Sequence, residues 1–356
     1  MGLRAAVGAA PFLSIFRGCD VAEESSGDVQ KGCSRLTMRP FVVLSEPIHR
    51  AGLAVLEAAA EVRVIPEPTQ ATLRQAIADA DAVIVRLFPL TAELMAVAPR
   101  LRVIGRHGAG LDNVDLAAAT KRKIPVVYVP RTHAVSVAEH TLTLILAVAR
   151  RLPELDDAVR RGKFHLRNQI FGTELNGKTL GVIGLGNIGR LVAEKCRNAF
   201  GMRVLGYDPF LAPDLPVPAD RVADLDVLLR ESDVITLHVP LTPQTRSLLG
   251  ARKLALLKPT ALVINTSRGE VIDEKALAEA LHARRIGGAA VDVYATEPPP
   301  SDHPLLSAPN TVLTPHAAAH TEEALQRMAV SIADDVLAVL RGERPAHLAN
   351  PDVYAP

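Results

Sequence analysis

The chain predicts two α/β domains, each built on a doubly wound parallel sheet, with the second inserted into the first. Three observations predict this. Apolar, β-type runs of about five residues alternate with helical stretches in two successive blocks. Glycines in GxGxxG spacing open the second block, and one long helix follows its last run. Short, wholly apolar runs separated by helices are the mark of parallel strands buried on both faces.

In the first block FVVLS (41–45) is apolar and β-branched, and 47–60 is helical. EVRVI (61–65) reads as a strand, 69–79 as a helix, and AVIVR (82–86) as a strand with a helix from Thr91. RVIGR (102–106) precedes a helix from Val114, and VVYV (126–129) is the last strand of the block. Residues 135–152 form one long apolar helix bounded by Pro153, since proline breaks a helix interior. The second block runs TLGVIG (179–184), RVLGYD (203–208), VITLHV (234–239), ALVINTS (261–267), AAVDV (289–293) and TVLTP (311–315). A helix over 321–340 follows, and 342–356 is too short for another domain, so this helix is expected to pack back on the first block. The expected domains are 38–134 with 317–356, and 135–316 inserted between them, with the active cleft where the two meet. Ligands bind such sheets at the carboxyl ends of the strands and at domain junctions.

Residues 1–37 lack this pattern. MGLRAAVGAAPFLSIF is weakly signal-like but has no clear small-residue cleavage site. Asp20, Glu23, Glu24 and Asp28 argue against a transit peptide, and Ala6 breaks the myristoylation pattern. A disordered extension is expected here, with the folded protein starting at Met38.

Forty basic against thirty-nine acidic side chains leave a net charge of +1, so no large field steers the chain toward nucleic acid or a membrane surface. Aromatic residues make up 3% and Trp is absent, which argues against a base-stacking platform. The apolar run 141–149 is too short to span a bilayer. Cys19, Cys33 and Cys196 have neither disulfide-framework nor metal-site spacing, and no metal site is expected. A reduced, cytoplasmic protein is the expectation.

The segment GVIGLGNIGRLVAEKCRNAFGMRVLGYD (181–208) is the most informative. Gly184 allows a tight turn, Gly186 lets backbone approach a pyrophosphate, and Gly189 lets helix and strand pack closely. The helix that follows offers its free N–H groups to phosphates. Asp208 stands about 20 residues beyond Gly189, where a carboxylate accepts the adenosine ribose hydroxyls. That carboxylate repels a 2′-phosphate, and Pro209 and Phe210 follow it rather than Arg, so NAD is favoured over NADP.

Three polar residues stand at or just beyond carboxyl ends of predicted strands: Arg268 after INTS, Glu297 after DVYAT and His316 after TVLTP. A hydroxy acid dehydrogenase needs a planar cation for the substrate's carboxylate and C–O group. It needs an acid/base that works near neutral pH and an anion to orient the imidazole and favour its protonated form. Arg, Glu and His supply that set. Taken one at a time, Arg268 is more often a surface charge, Glu297 a solvated loop residue and His316 a structural histidine.

GRHGAGLDNVD (105–115), SVAEH (136–140), ELNGKTLGVIGLGNIGR (174–190), YDP (207–209), NTSRGEVID (265–273), AAVDVYATEPP (289–299) and TPHAAAHT (314–321) resemble, in order, the motifs of the D-isomer-specific 2-hydroxyacid dehydrogenases. The resemblance spans about residues 40–345. It implies a flavodoxin-like substrate domain carrying an inserted Rossmann NAD-binding domain. It implies His316 as general acid/base, Glu297 as its partner and Arg268 as substrate anchor. It places the substrate carboxylate on backbone N–H groups of His107, Gly108, Ala109 and Gly110, and Asp292 against the nicotinamide carboxamide. The expected cofactor set is Gly184, Gly186, Asn187, Ile188, Gly189, Asp208, Thr266 and Asp292. NADH would deliver hydride to the carbonyl carbon of a 2-oxoacid while protonated His316 donates to its oxygen.

The substrate is open between 3-phosphoglycerate and hydroxypyruvate or glyoxylate. ELNGKTLGVIGLG and GLDNVDLAAAT are similar to 3-phosphoglycerate dehydrogenases, which need a phosphate pocket; Arg86 and Arg131 are the available cations, with surface charge as the plain alternative. The family often has a small residue at position 107 and Asn at 133, whereas both are His here. Those two either line the cleft and read a polar substrate tail or are structural. The long phosphoglycerate dehydrogenases carry a regulatory domain beyond the last helix, for which 342–356 leaves no room. Formate dehydrogenases of the superfamily have Gln where Glu297 stands. His238 is expected in the core or beside the cofactor. His140, His165, His282 and His347 are expected on helix faces or loops, and His320 at a helix start. A different class, an NAD-sensing corepressor-like binding protein of the same fold, keeps the same three polar residues. A homodimer is expected from the resemblance, with 141–148 and 164–171 as contacts.

Overall fold

A computed structural model describes residues 39–212 and 214–355 of the protein; the expectations on residues 1–37, Met38, Cys19 and Cys33 lie outside them. Strands β1 (Phe41–Leu44), β2 (Glu61–Val64), β3 (Ala82–Val85), β4 (Val103–Arg106) and β5 (Val126–Tyr128) form one sheet in the order β2-β1-β3-β4-β5. Every pairing in it is parallel. Helices α1 (Arg50–Ala59), α2 (Gln70–Ala76), α3 (Ala92–Ala96) and α4 (Leu116–Lys121) connect the strands. Thr69, Thr91 and Asp115 stop the preceding loops by accepting a backbone N–H of the first turn. The first helix starts later than expected because His49 takes that role, accepting from the Ala51 N–H.

The long apolar helix expected over 135–152 is two helices, α5 (Ala134–Ala149) and α6 (Leu152–Arg160). The chain breaks at Arg151, in the left-handed region at φ +50°. Pro153 lies in the first turn of α6 rather than beyond an end, where its missing N–H costs nothing. Helix α5 packs on the second sheet. Leu144, Ile145 and Val148 of 141–148 are core there, and only Leu146 of its large side chains is well exposed. Most of the first expected dimer contact is therefore interior.

The second sheet comprises β6 (Thr179–Ile183), β7 (Arg203–Tyr207), β8 (Asp220–Arg221), β9 (Val234–Leu237), β10 (Leu262–Asn265), β11 (Gly288–Val291) and β12 (Thr311–Leu313). It is parallel throughout, in the order β12-β11-β10-β9-β6-β7-β8. Helices α7 (Asn187–Phe200), α8 (Leu225–Glu231), α9 (Ala251–Leu254) and α10 (Glu274–His282) connect it. Strand β8, two exposed polar residues, carries no apolar signal in the sequence. Two apolar cores flank this sheet and two flank the first.

Both orders reverse direction once, between β1 and β3 and between β6 and β9. A crevice opens at the carboxyl strand ends of such a switch point because the flanking helices diverge to opposite faces. The second order is that of a dinucleotide-binding sheet.

The last helix, α11 (Glu322–Leu340), starts at the Thr321 cap and returns to the first sheet, as expected, packing on α1 and over β4. Gly52 of α1 makes that contact possible, since a Cβ there would fall on the Ala329 carbonyl group. Gly52→Ala is expected to lower stability by roughly 1–3 kcal/mol through overpacking. The check is a lower urea midpoint with an unchanged slope.

Candidate active site

Loops from the carboxyl ends of both sheets line one cavity of about 580 Å³. Arg86 leaves β3, 107–110 leaves β4, His238 leaves β9, Thr266 and Arg268 leave β10, Asp292 leaves β11 and His316 leaves β12. Arg268 and His316 therefore share one wall system rather than separate surfaces.

His316 sits at φ +51°, a conformation that side chains other than glycine's rarely adopt. Its backbone N–H donates to the Asp292 carbonyl at 2.7 Å, which holds the turn. Its Nδ1 lies 2.8 Å from Oε2 of Glu297. A carboxylate accepts only, so Nδ1 donates and Nε2 is left for the cavity. Oε1 of Glu297 accepts from the Tyr294 N–H at 3.0 Å. Burial alone would raise the Glu297 pKa, but the His316 hydrogen bond and charge outweigh it and hold the carboxyl below the ordinary value.

Arg268 reaches across to Asp112, its Nε 3.2 Å from both carboxylate oxygens, and its Nη1 donates to the Ser267 carbonyl at 2.8 Å. The guanidinium lies against Gly110, where a Cβ would overlap Nη2. Gly108, at φ +151°, has Arg106 packed on it in the same way. Of the four N–H groups expected to face a carboxylate, those of His107 and Gly108 are spent on the Val85 and Arg106 carbonyls (2.9 and 2.8 Å), while among the described residues those of Ala109 and Gly110 meet no protein acceptor.

Asp292 is buried at 0% exposure, with hydrogen bonds on both carboxylate oxygens. Oδ1 accepts from Thr314 Oγ1 (2.6 Å) and the Ala317 N–H (2.8 Å), and Oδ2 from the Ala318 N–H (3.0 Å). A contact from His140 and then these bonds overcome the burial that would raise its pKa and hold it lowered. His140 Nε2 stands 3.4 Å from Asp292 Oδ1 and 3.2 Å from Thr314 Oγ1. His140 lies on a helix face, as expected, and the packing of α5 beside β12 brings that face to a buried carboxylate. His347 likewise pairs with Asp335 at 2.8 Å. His320 precedes the helix rather than starting it and lines the cavity, and His165 and His282 are exposed.

Of the two cations expected for a phosphate, Arg86 lines the cavity and Arg131 is exposed away from it. Arg106 carries no site signal in the sequence, where it is only the last residue of an apolar run. It is buried on the cavity wall, and burial and the nearby Arg268 charge push its pKa down to about 10. His107, His133 and His238 are also on that wall. Burial, with nearby guanidinium charge at the first two, pushes them to about 3, about 4 and about 3. A histidine buried neutral binds its proton more readily in the unfolded chain, so it stabilises the fold at high pH. Stability is expected to fall as pH drops from about 6.5 toward 4, read as a declining Tm. Replacing half-buried His238 by Asn should flatten that decline.

The residues expected to hold a dinucleotide lie at the β6–α7 turn and at neighbouring strand ends. Gly184 is at φ +93° with a Cβ position against the His238 carbonyl, and Gly189 approaches the Gly184 oxygen. A Cβ on Gly186 would meet open space, so no protein contact demands glycine there. A ligand group passing that backbone would. Helix α7 starts at Asn187 with no side-chain cap, leaving its first N–H groups free, and Ile188 faces the cavity. Asp208 ends β7 and accepts from the Leu185 N–H at 2.9 Å. Thr266 is buried, 3.0 Å from Thr141 Oγ1. The uncapped helix start, the bare Gly186 and the terminal carboxylate fit a dinucleotide without a 2′-phosphate.

Two parallel sheets meeting at one cleft, one of them dinucleotide-binding, define the class. The chain belongs to the D-isomer specific 2-hydroxyacid dehydrogenase family, whose NAD binding domain matches residues 142–318. It is 42% identical over 312 residues to the D-3-phosphoglycerate dehydrogenase of Methanocaldococcus jannaschii, covering 87% of this chain and 59% of that one. The chain thus spans little more than half the length of that relative. It is 38% identical to the glyoxylate reductase of Korarchaeum cryptofilum, covering 89% of this chain and 97% of that one. The D-lactate dehydrogenase of Aquifex aeolicus, solved with NAD and lactic acid, superposes with a TM-score of 0.78 at 31% identity over 87% of this chain and 99% of that one. Among the described residues no helix is long and apolar enough to cross a membrane, and no group of three or more His, Cys, Asp or Glu is placed to hold a metal ion.

Proposed function

We propose that the protein interconverts a small D-2-hydroxyacid and its 2-oxoacid with NAD as redox partner, the acid being 3-phosphoglycerate, hydroxypyruvate or glyoxylate. The observation that carries this is the 2.8 Å His316–Glu297 pair opening on the same cavity as Arg268 and the 107–110 loop. Gly184, Gly186, Asn187, Ile188, Gly189, Asp208, Thr266 and Asp292 hold the cofactor. Bound NADH supplies the hydride that the carbonyl carbon accepts.

The chain's own residues do the rest. The free N–H groups of Ala109 and Gly110 take the substrate carboxylate. Arg268 takes carboxylate and carbonyl oxygen together and offsets the charge that grows on that oxygen. Nε2 of protonated His316 donates the proton to it, and Glu297 stabilises the charged ring beforehand. Oxidation runs the same path backward with neutral His316 as base. Asp112 fixes the Arg268 fork before substrate arrives. We assign the substrate domain to 38–134 with 317–356 and the cofactor domain to 135–316. We also propose a homodimer, supported by Leu152, Val159, Phe164 and Phe171, all exposed on α6 and the segment after it. The test is loss of NADH absorbance on adding glyoxylate, hydroxypyruvate or phosphohydroxypyruvate. Turnover of roughly 1 s⁻¹ or more on one of them is expected, and none on any would overturn the reading.

A further inference from the structure

Among the described residues five buried side-chain nitrogen or oxygen atoms lack a hydrogen-bond partner: Nδ1 and Nε2 of His107, Nδ1 of His133, Nδ1 of His238 and Oγ1 of Thr132. The three histidines line the cavity, and His107 is only 3% exposed. A buried polar atom without a partner carries its full desolvation penalty, and a ligand group that bonds it would relieve that cost.

The neighbouring cations are already engaged. Arg106 donates through Nε to Asn113 Oδ1 (3.3 Å) and through Nη1 to the His107 carbonyl (3.1 Å). Arg86 donates through Nη1 to the Pro47 carbonyl (3.0 Å) and its Nη2 stands 3.5 Å from His320 Nε2. Arg268 is held by Asp112 and Ser267. Each of these guanidiniums is thus held by a protein group, whereas neither ring nitrogen of His107 meets any.

His107 is kept neutral by burial and by Arg86 and Arg106 beside it. A neutral imidazole has one N–H donor and one lone-pair acceptor. Guanidiniums offer donors only, so no neighbouring cation can accept from that N–H. In the proposed reaction the 109–110 amides take the carboxylate, and Arg268 with His316 takes the oxygen on C2. That leaves the substituent on C2 to the other polar side chains of the wall, among which His107 and His133 carry ring nitrogens without a partner.

We propose that His107, with His133 beside it, is a specificity-determining residue that selects a 2-oxoacid carrying a free hydroxyl on its third carbon. This rests on the dehydrogenase reading above. A hydroxyl both donates and accepts, so one group answers both kinds of imidazole nitrogen. A methyl answers neither. A phosphate dianion only accepts, and turns its charge toward an imidazole lone pair.

The test compares kcat/KM for hydroxypyruvate, pyruvate and phosphohydroxypyruvate at saturating NADH in the full chain. Sites built to bond a hydroxyl reject the analogue that lacks it. Hydroxypyruvate is expected to exceed pyruvate by about 10²-fold in the wild type. His107→Leu should cut that ratio below about tenfold, and His107→Gln, which keeps a donor and an acceptor, should retain most of it. A wild-type ratio near one overturns the proposal. So does a His107→Leu variant that lowers both substrates equally, the outcome of a structural role. Preference for phosphohydroxypyruvate that His107→Leu leaves intact overturns it as well. Should His107→Leu fail to fold, the wild-type ratio and the Gln variant decide. If NADH binds but no 2-oxoacid turns over, the reaction itself is refuted, a result distinct from loss of selectivity.

Discussion

Exchange of His316 for Gln lowers kcat by about 10²–10⁴ while NADH still binds. The imidazole touches the reacting oxygen in the proposed geometry and the dinucleotide set does not depend on it. Gln keeps the size and a hydrogen-bond donor but has no proton to give near neutral pH. The backbone of His316 is held by its N–H bond to the Asp292 carbonyl, which any residue but proline supplies. Position 316 is in the left-handed region, where Gln is somewhat less favoured than His, but the turn is held by that backbone bond, so the fold should survive. Steady-state kinetics with a parallel NADH fluorescence titration separates the two effects. An unchanged kcat would remove His316 from the chemistry.

Arg268→Lys is expected to lower kcat/KM by about 10²–10³, again without loss of NADH binding. Lysine keeps the charge and loses the planar fork, and with it the simultaneous contact to carboxylate and carbonyl oxygen. The Asp112 partner is 42% exposed, so it returns to water when the fork goes and leaves no buried charge behind. The loss should therefore appear in kinetics and barely in Tm. A variant with wild-type kcat/KM would place the substrate elsewhere in the cavity.

Much of this site was legible in the sequence because its logic is local. Gly184, Gly186, Gly189 and Asp208 belong to one strand–helix–strand unit whose period and glycines are visible without a partner. Glu297 and His316 each follow an apolar run, and strand ends of a parallel sheet converge on one edge, so their meeting at 2.8 Å follows from topology. What was not legible depends on long-range packing. Arg106 reads as the polar end of a strand, and only the assembled sheet shows a guanidinium buried beside Arg268. The Asp112–Arg268 pair joins residues far apart in the chain, and no spacing encodes it. His140 lies on a helix whose partner strand is chosen by the fold. The split at Arg151 was missed because an apolar helix hides a left-handed residue, and Pro153 marks a helix start as readily as an end. Residues 141–148 looked like an interface for the same reason that made them core: a wholly apolar face does not say what covers it.

The most direct test follows deuterium from the nicotinamide C4 of labelled NADH into product, with whichever of glyoxylate, hydroxypyruvate or phosphohydroxypyruvate turns over. One deuterium on C2 of the hydroxyacid, with D configuration wherever C2 is a stereocentre, is the expected result, and the transfer should collapse in His316→Gln. Bound NADH that passes no label to any of the three acids would contradict the assignment of the cleft between the two sheets as the place where Arg268 and His316 meet a carbonyl oxygen.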